Sequence, residues 1–221
     1  ETRNYRIANN PDLLNTMLAD LEGSASIGLS LLVVLETAMT IPAVGIALSP
    51  EARKGWYVPL GHEGSSPVEL AALAFQLKPI LADPTVTKYV HDANLALTSL
   101  EHLGLRLEGP IIDPAVAAHF AGRKNIGLAA LTLELLDEEI PDRSTLTGTG
   151  RNRLSLPQIP AEAAAKQACL EADSTARIGE VLLAELAELT LREPFEMVEM
   201  PLLPVLVKMQ LNGVAIATDV L

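Results

Sequence analysis

A run of apolar residues near the start of the sequence constrains the fold more than any other stretch. Residues Ile27–Leu35 carry no ionisable side chain and are rich in leucine and valine. A short apolar run of this kind is typical of a strand that is buried on both faces, although a buried helix has the same periodicity. The short length and the β-branched pair Val33 and Val34 favour the strand. We therefore expect a strand at Ser26–Glu36, with helices above and below its sheet.

The rest of the sequence alternates between strand and helix patterns. Three strand patterns follow one another as a meander, and strands then alternate with amphipathic helices, which indicates the α/β class with a mixed sheet. The predicted strands are 4–8, 26–36, 43–48, 56–60 and 86–90, with an extended segment at 110–114, and residues 214–216 follow the last helix. The predicted helices are 11–22, 66–81, 94–103, 115–121, 126–136, 161–191 and 195–212. Asn10 is expected to cap the first helix, and Pro194 is expected to separate the last two.

The composition narrows the classes of partner. The chain has 28 acidic and 16 basic residues, a net charge of −12 and only 3% aromatic residues. Nucleic-acid-binding modules normally have a basic face, so we expect weak or no binding of DNA by this chain alone. The single Cys169 excludes an internal disulfide and fits a reducing cytosol. No signal-peptide pattern is present, and no apolar run reaches the roughly 20 residues of a membrane-spanning helix, so we expect a cytoplasmic protein without a membrane partner.

Two stretches in the last third of the chain have distinctive sequences. Gly150–Ile159 is GRNRLSLPQI, and Glu199–Ile216 is EMPLLPVLVKMQLNGVAI. The first resembles the loop before the last helix of the proofreading domain in bacterial DNA polymerase I, a family A polymerase. The second resembles the opening of the polymerase domain in the same family. The predicted order of elements agrees with the RNase H-like (DEDD) 3′–5′ exonuclease domain, so the resemblance implies an exonuclease-like domain at 1–192 and the start of the polymerase domain at 193–221.

The resemblance also implies where a nuclease site would lie. Active members of the family hold two divalent metal ions with four carboxylates, and a tyrosine orients the attacking water. Two such ions about 3.5–4 Å apart stabilise both the attacking and the leaving oxygen of phosphodiester cleavage. The aligned positions of these side chains in this sequence are Ser30, Leu32, Ala96, Gln167 and Glu171. Since one carboxylate of four remains, we predict no catalytic residue and no metal site, with these five positions as vestiges of the site.

Other acidic residues leave a second hypothesis open. Glu36, Asp92 and Asp173 could join Glu171 in a rearranged metal site. We expect instead that Glu36 and Asp173 are solvated charges at the ends of elements. Asp92 is expected to cap a helix, because short acceptors are favoured at that position, and Asp113 is expected at another helix entry.

The histidines show no spacing typical of zinc, and we expect them at the surface or in capping roles. They are His62, His91, His102 and His119. Cys169 is expected to be buried, and Trp56 and Tyr57 are expected to pack in the core rather than to stack on a base. Arg151 and Arg153 could touch a phosphate backbone from a surface loop.

A stripe of apolar residues on the last helix is expected to pack against a neighbouring domain. It consists of Met197, Met200, Leu203 and Val207. The obvious neighbour is the polymerase domain that the resemblance implies.

The sequence thus predicts a catalytically inactive 3′–5′ exonuclease-like domain of a bacterial DNA polymerase I. The parent enzyme would perform template-directed DNA synthesis in replication and repair with Mg²⁺, whereas this part of it would need no cofactor. Its partners would be the polymerase domain of the same chain and, through the parent enzyme, DNA in the bacterial nucleoid. The alternative is an active or weakly active metal-dependent exonuclease that uses rearranged carboxylates. An unrelated α/β binding module fits the two distinctive stretches less well.

Overall fold

The computed structural model describes residues 2–34, 42–64, 70–213 and 215. The end of the predicted strand 26–36, including Glu36, lies outside the described residues. So do the first turn of the predicted helix 66–81 and two of the three residues 214–216.

A mixed sheet of six strands forms the centre of the described structure, in the order β1-β4-β3-β2-β5-β6. Strands β2, β3 and β4 are an antiparallel meander, whereas β1 pairs in parallel with β4, and β5 lies parallel to both β2 and β6. The strands are β1 (Asn4–Ile7), β2 (Ser26–Val33), β3 (Ala43–Glu51), β4 (Lys54–Pro59), β5 (Thr87–Val90) and β6 (Ile111–Ile112).

Nine α-helical segments connect and cover the strands within the described residues. They are α1 (Pro11–Leu21), α2 (Leu70–Leu81), α3 (Ala93–His102), α4 (Pro114–Phe120), α5 (Leu128–Leu136), α6 (Ser144–Thr147), α7 (Ala161–Glu188), α8 (Arg192–Pro194) and α9 (Met200–Asn212). Short 3₁₀ turns lie between α6 and α7, and a π-helical turn joins α8 to α9. None of the helices described is both long and apolar enough to span a membrane.

Strand β2 is the central strand predicted from the apolar run, and both of its faces are buried. Leu29 and Leu31 belong to a large core that includes side chains of α1 and α2. On the opposite face, Gly28 lies against α7 so closely that a Cβ at this position would be 2.1 Å from the carbonyl oxygen of Ala172. Leu32, on the same face as Gly28, belongs to a second core cluster that contains the alanines of α7. The prediction of a doubly covered strand is confirmed.

Several helix ends follow the local chemistry of the sequence. Asn10 caps α1, its side-chain oxygen accepting a hydrogen bond from the backbone N–H of Leu13 at 3.0 Å. Pro194, however, does not end the long helix as predicted. Helix α7 already ends at Glu188, and Thr190 takes the left-handed conformation with φ of 59°. Pro194 instead lies in α8, at the start of the next helical segment, where the missing N–H costs nothing.

The segment after Thr190 packs back onto the domain. Phe195 is fully buried, with its ring 6.2 Å from that of Phe120 on α4. Met200, Leu203 and Val207 of α9 are also buried, and α9 packs against α3. Three members of the predicted stripe therefore contact this domain itself, whereas Met197, the fourth, is exposed.

Candidate functional site

Four of the five predicted site positions line one cavity of about 280 Å³. Ser30 enters it from β2, Ala96 from α3, and Gln167 and Glu171 from α7. The fifth, Leu32, lies two residues beyond Ser30 on the same face of β2, as the period of a strand requires. Its side chain is buried in the second core cluster, and it is not among the residues that line the cavity.

Glu171 is the centre of the polar contacts in this cavity. Its side chain is 7% exposed, and both carboxylate oxygens accept hydrogen bonds. Ser30 Oγ donates to Oε2 at 2.9 Å, and Gln167 Nε2 donates to Oε1 at 3.2 Å. Arg143 donates from Nη2 to Oε2 at 2.8 Å and from Nε to Oε1 at 3.2 Å. A buried carboxylate is costly unless it is paired and hydrogen-bonded, and here all four contacts supply that compensation.

Arg143 is a functional-site residue that the sequence analysis missed. It lies just before α6, in the irregular segment between α5 and α7, and it lines the same cavity. The one signal in the sequence is a lone cation directly after a strongly acidic stretch, residues 137–142. That signal does not identify the carboxylate with which the arginine pairs, because Glu171 lies 28 residues further along the chain.

Comparison with known sequences identifies the relatives of this chain, although no protein-family model matches it. The DNA polymerase I of Chloroflexus aurantiacus is 30% identical over 189 residues, which cover 83% of this chain and 20% of the polymerase. That of Pseudomonas aeruginosa is 27% identical over 199 residues, 83% of this chain and 21% of the polymerase. This chain is related to bacterial DNA polymerase I. It spans about a fifth of the length of these relatives.

Solved structures establish the fold class. The Pol1 structure from M. smegmatis, a complex with DNA primer-template and dNTP, has a TM-score of 0.72 and 22% identity, covering 95% of this chain and 32% of that one. Escherichia coli RNase D, an exoribonuclease, has a TM-score of 0.71 and 20% identity, and the match covers 96% of this chain and 52% of RNase D. Brucella melitensis NrnC with bound Mg²⁺ has a TM-score of 0.69 and 18% identity, and the match covers 96% of this chain and 95% of NrnC. The predicted RNase H-like fold, a mixed sheet flanked by helices, is confirmed.

The side chains of the cavity do not fit the pair of divalent cations expected in an active nuclease of the polymerase I family. Mg²⁺ is held by oxygen ligands, chiefly carboxylates. Here a serine, an alanine and a leucine stand at three of the positions that the resemblance predicts for carboxylates, Ser30, Ala96 and Leu32. Both oxygens of Glu171, at the fourth, are engaged by a guanidinium whose positive charge repels another cation. In the part of the chain that the structure describes, no group of three or more histidine, cysteine and acidic side chains is arranged to hold a metal ion.

Two further carboxylates line the cavity, but each is engaged by the backbone of its own helix. Asp92 is the N-cap of α3, as predicted, and accepts from the N–H of Leu95 at 3.5 Å. Asp142 accepts from the N–H of Ser144 at 2.8 Å, and this contact with Ser144 lowers the pKa of Asp142. The predicted helix entry at Asp113 is also confirmed, since it is the N-cap of α4.

Asp173 is fully buried, so the prediction of a solvated charge is wrong. The hydroxyl of Tyr5 donates to its Oδ2 at 2.9 Å, and the backbone N–H of Arg53 donates to its Oδ1 at 2.8 Å. Arg177 lies 3.6 Å from Oδ2. Burial, followed by the charge of Asp173, raises the pKa of Tyr5. Side chains that are two positions apart on a helix point in widely different directions. Asp173 follows Glu171 by two positions, so it faces β1 and the β3–β4 turn instead of the cavity that holds Glu171.

His62 is buried as well, which corrects the prediction of a surface or capping role. Its Nε2 lies 2.6 Å from the hydroxyl of Tyr57, and its Nδ1 lies 2.7 Å from the carbonyl oxygen of Ile159. A carbonyl can only accept, so Nδ1 carries the proton and Nε2 accepts from the tyrosine. Burial lowers the pKa of His62, which favours this neutral form. The buried tyrosine needs a polar partner, and this need explains why the histidine lies inside.

The remaining predictions for single residues mostly agree with the structure. Cys169 is fully buried, and burial raises the pKa of its thiol. Trp56 and Tyr57 are fully buried in the core, as expected for packing roles. His102 and His119 are exposed, and so are Arg151 and Arg153, whose contact with a phosphate backbone stays a prediction.

Proposed function

We propose that this chain is the catalytically inactive 3′–5′ exonuclease-like domain of a bacterial DNA polymerase I, joined to the first segment of the polymerase domain. Residues 1–192 would be the exonuclease-like domain and residues 193–221 the start of the polymerase domain. The observation that carries the proposal is the bidentate pair between Arg143 and Glu171, which closes the position where a metal ion would bind.

The chemistry of cleavage supports the proposal that this arrangement is inactive. In-line phosphodiester displacement by two metal ions requires anionic oxygens that hold both ions and a water molecule activated beside them. Ser30, Ala96 and Leu32 offer no charge, and Gln167, at the aligned tyrosine position, donates its amide to Glu171 and to the carbonyl of Pro141. No described residue of this cavity is therefore left in the role of the water-orienting tyrosine, and the domain is retained for its fold.

The work of the domain would be to support the polymerase domain of its parent chain. Helix α9 is fixed to the domain by one face, while its other face is apolar and exposed. The exposed residues there are Leu202, Val205, Leu206 and Met209, and Met197 and Val198 extend the surface into the preceding turn. A contiguous exposed apolar surface marks a contact with another domain or protein. We assign it to the polymerase domain, because this helix would be the first of that domain.

The parent enzyme would supply the activity and the attraction to DNA. It would perform template-directed DNA synthesis in replication and repair, with Mg²⁺ bound in its polymerase domain. The net charge of −12 opposes binding of DNA by this domain alone, so contact with DNA would come through the parent enzyme. The location would be the bacterial cytoplasm, at the nucleoid.

A nuclease assay tests the inactive state directly. The chain is incubated with 3′-labelled single-stranded DNA and either Mg²⁺ or Mn²⁺, beside the variant Glu171→Ala and an active exonuclease as positive control. We expect no shortening by either form of the chain. Metal-dependent shortening by the wild-type chain that disappears in Glu171→Ala would refute the proposal.

One observation favours a weakly active exonuclease as the second candidate. Asp92 and Asp142 line the same cavity as Glu171, so three carboxylates surround one space of about 280 Å³. Displacement of Arg143 would leave these groups for a single metal ion. In this case Asp92→Asn would abolish the shortening of DNA while leaving the fold intact, because asparagine is as good a helix cap as aspartate.

A further inference from the structure

We propose that the guanidinium of Arg143 is an internal cation that takes the place of a divalent metal ion beside Glu171, and that removing it opens a binding site for such an ion. The inference rests on the proposed function, in that it treats the cavity as an altered nuclease site. It goes further by naming the side chain that replaces the metal ion and the ligand that would return.

The burial of Glu171 requires a positive partner. Its side chain is 7% exposed, and an ionised carboxylate removed from water is strongly destabilised unless a charge compensates it. Ser30 and Gln167 donate hydrogen bonds but carry no charge. Within the described part of the chain, Arg143 is the one cation in an ion pair with this carboxylate.

The way Arg143 reaches the cavity makes it replaceable. It comes from the irregular segment before α6, and its own side chain is 43% exposed while that of Glu171 is buried. Truncating an exposed side chain removes little packing, so its loss would change mainly the charge next to Glu171. The cavity would then be open to solvent at the carboxylate.

The groups that would remain are those that a hard cation accepts. Both oxygens of Glu171 would lose their bonds from Arg143 and would keep one donor each, Ser30 at 2.9 Å and Gln167 at 3.2 Å. The hydroxyl oxygen of Ser30 is itself a ligand of the kind that a hard cation binds. Asp92 and Asp142 line the same space, and waters would complete the shell.

A second observation in the cavity also points to a ligand. Thr175, one helical turn beyond Glu171, lines the cavity with a side chain that is 1% exposed, and its Oγ1 has no hydrogen-bond partner among the residues that the structure describes. Buried hydroxyls are nearly always paired, with protein or with ordered water. A hydrated ion beside Glu171 would bring water within reach of this hydroxyl.

The experiment measures metal binding without DNA. Binding of Mn²⁺ is followed by electron paramagnetic resonance and by thermal unfolding with and without Mn²⁺, for the wild-type chain, Arg143→Ala, and Arg143→Ala combined with Glu171→Gln. We expect Arg143→Ala to unfold at a Tm lower by about 5 °C, because a buried charge has lost its partner. Mn²⁺ should restore much of this loss and should bind at least tenfold more tightly than to the wild-type chain.

The double variant is the matched control. With Glu171 replaced by a neutral amide, Tm should recover without Mn²⁺, and the gain in Mn²⁺ affinity should disappear. Arg143→Lys should stay insensitive to Mn²⁺, because it keeps the positive charge.

Two results would overturn the inference: Mn²⁺ binding to the wild-type chain as tight as to Arg143→Ala, or no gain in affinity in Arg143→Ala. If Arg143→Ala does not fold, Arg143→Gln, which keeps an amide donor and removes the charge, is put through the same comparison and decides in the same way. Shortening of DNA by the wild-type chain would instead refute the proposed function, so the two failures are distinguishable.

Discussion

Single residues on one face of β2 decide what the cavity can hold. Ser30 and Leu32 project to the same side, toward α7, yet their surroundings differ: Ser30 donates to Glu171, and Leu32 packs among the alanines of α7. A polar group at the first position finds a partner, whereas one at the second would lie in a core cluster of mostly apolar side chains.

This difference predicts how much stability is lost when a carboxylate is placed at Leu32. That residue is the second of the two positions on β2 that the resemblance assigns to carboxylates. Leu32→Glu should reduce the free energy of unfolding by about 3 kcal/mol or more, because it buries a carboxylate without a partner. Leu32→Met, which nearly conserves the volume, should cost less than about 1.5 kcal/mol. Urea unfolding of both variants measures the difference. A glutamate variant as stable as the methionine variant would mean that the assignment of Leu32 to the aligned pair is wrong.

Glu138 predicts how stability depends on pH. It binds Arg177, Arg3 and Arg53 at distances between 2.8 and 3.2 Å. The hydrogen bonds from Arg177 are the main cause that lowers its pKa from 4.5 to about 2. Because the pKa is lowered in the folded state, the stabilisation is complete above about pH 4.5 and is lost as the pH falls toward 2.

The variant Glu138→Gln isolates this contribution. Urea unfolding should show the wild-type chain to be more stable than the variant at pH 7, and the gap should narrow steadily below pH 4.5. A gap of the same size at pH 7 and pH 3 would show that the ion pairs with the three arginines do not stabilise the fold.

Residue positions could be predicted where the resemblance to the polymerase I family supplied them. Ser30, Gln167 and Glu171 were expected in one site because of that resemblance, and the structure places all three in one cavity. Arg143 and the burial of Asp173 could not be predicted in this way. Their partners lie 28 and 168 residues away, and no local pattern specifies such a pairing.

At the level of elements, the contact of α7 with β2 holds the cavity together. Glu171 and Ser30 can form a hydrogen bond because Gly28 lets the helix approach the strand, with the carbonyl of Ala172 where a Cβ would be. The position of the helix above the sheet therefore depends on a residue without a side chain.

Gly28→Ala should move α7 away from the sheet. The new Cβ would lie 2.1 Å from a backbone oxygen, closer than any real contact, so we expect a loss of about 2 kcal/mol or more in the free energy of unfolding. Gly61→Ala is the control, because its nearest atoms would lie at an ordinary 3.7 Å. Thermal unfolding compares the two, and equal stability of both variants would contradict the close contact.

Helix α9 offers a test of the assigned surface. Leu203 is 8% exposed and packs on this domain, whereas Val205 is 51% exposed. Leu203→Lys should destabilise the chain by about 2–4 kcal/mol, while Val205→Lys should change its stability by less than about 0.5 kcal/mol. Urea unfolding of the chain measures both effects.

The same two variants distinguish support of the polymerase domain from packing within the chain. When the remainder of the parent polymerase is added in trans, Val205→Lys should bind it more weakly than the wild-type chain does. Unchanged binding would show that the exposed face of α9 is not the contact surface.

The first residues of β2, α1 and α7 were predicted correctly, because apolar periodicity is strong in these elements. The segment 140–160 has no such period, and its short turns depend on local hydrogen bonds such as that from Ser144 to Asp142. The end of α7 was placed too late, because Thr190 in a left-handed conformation gives no signal in the sequence. Threonine is β-branched and rarely takes that conformation, so the turn is imposed by packing.

In the molecule as a whole, the fold of a nuclease is combined with side chains that do not suit one. Strand order and helix placement follow from the alternation of apolar runs, and this is why the fold could be predicted from the sequence. The chemistry of the cavity depends on which of the many charged residues come into contact in the folded chain. Of the Arg143–Glu171 pair, Glu171 was predicted as a site position and Arg143 was not. The overall negative charge and the exposed face of α9 are what the proposed role beside a polymerase domain would require.

The tie between Tyr5 and Asp173 has a consequence for synthesis on the ribosome. Strand β1 emerges well before α7, because the partner of its tyrosine lies 168 positions later in the chain. Until that helix has emerged, β1 has only β4 to pair with, at the edge of an incomplete sheet. Strand β1 is thus made before the helix that secures it, and the nascent chain has to keep it available while the 168 residues up to that partner are added.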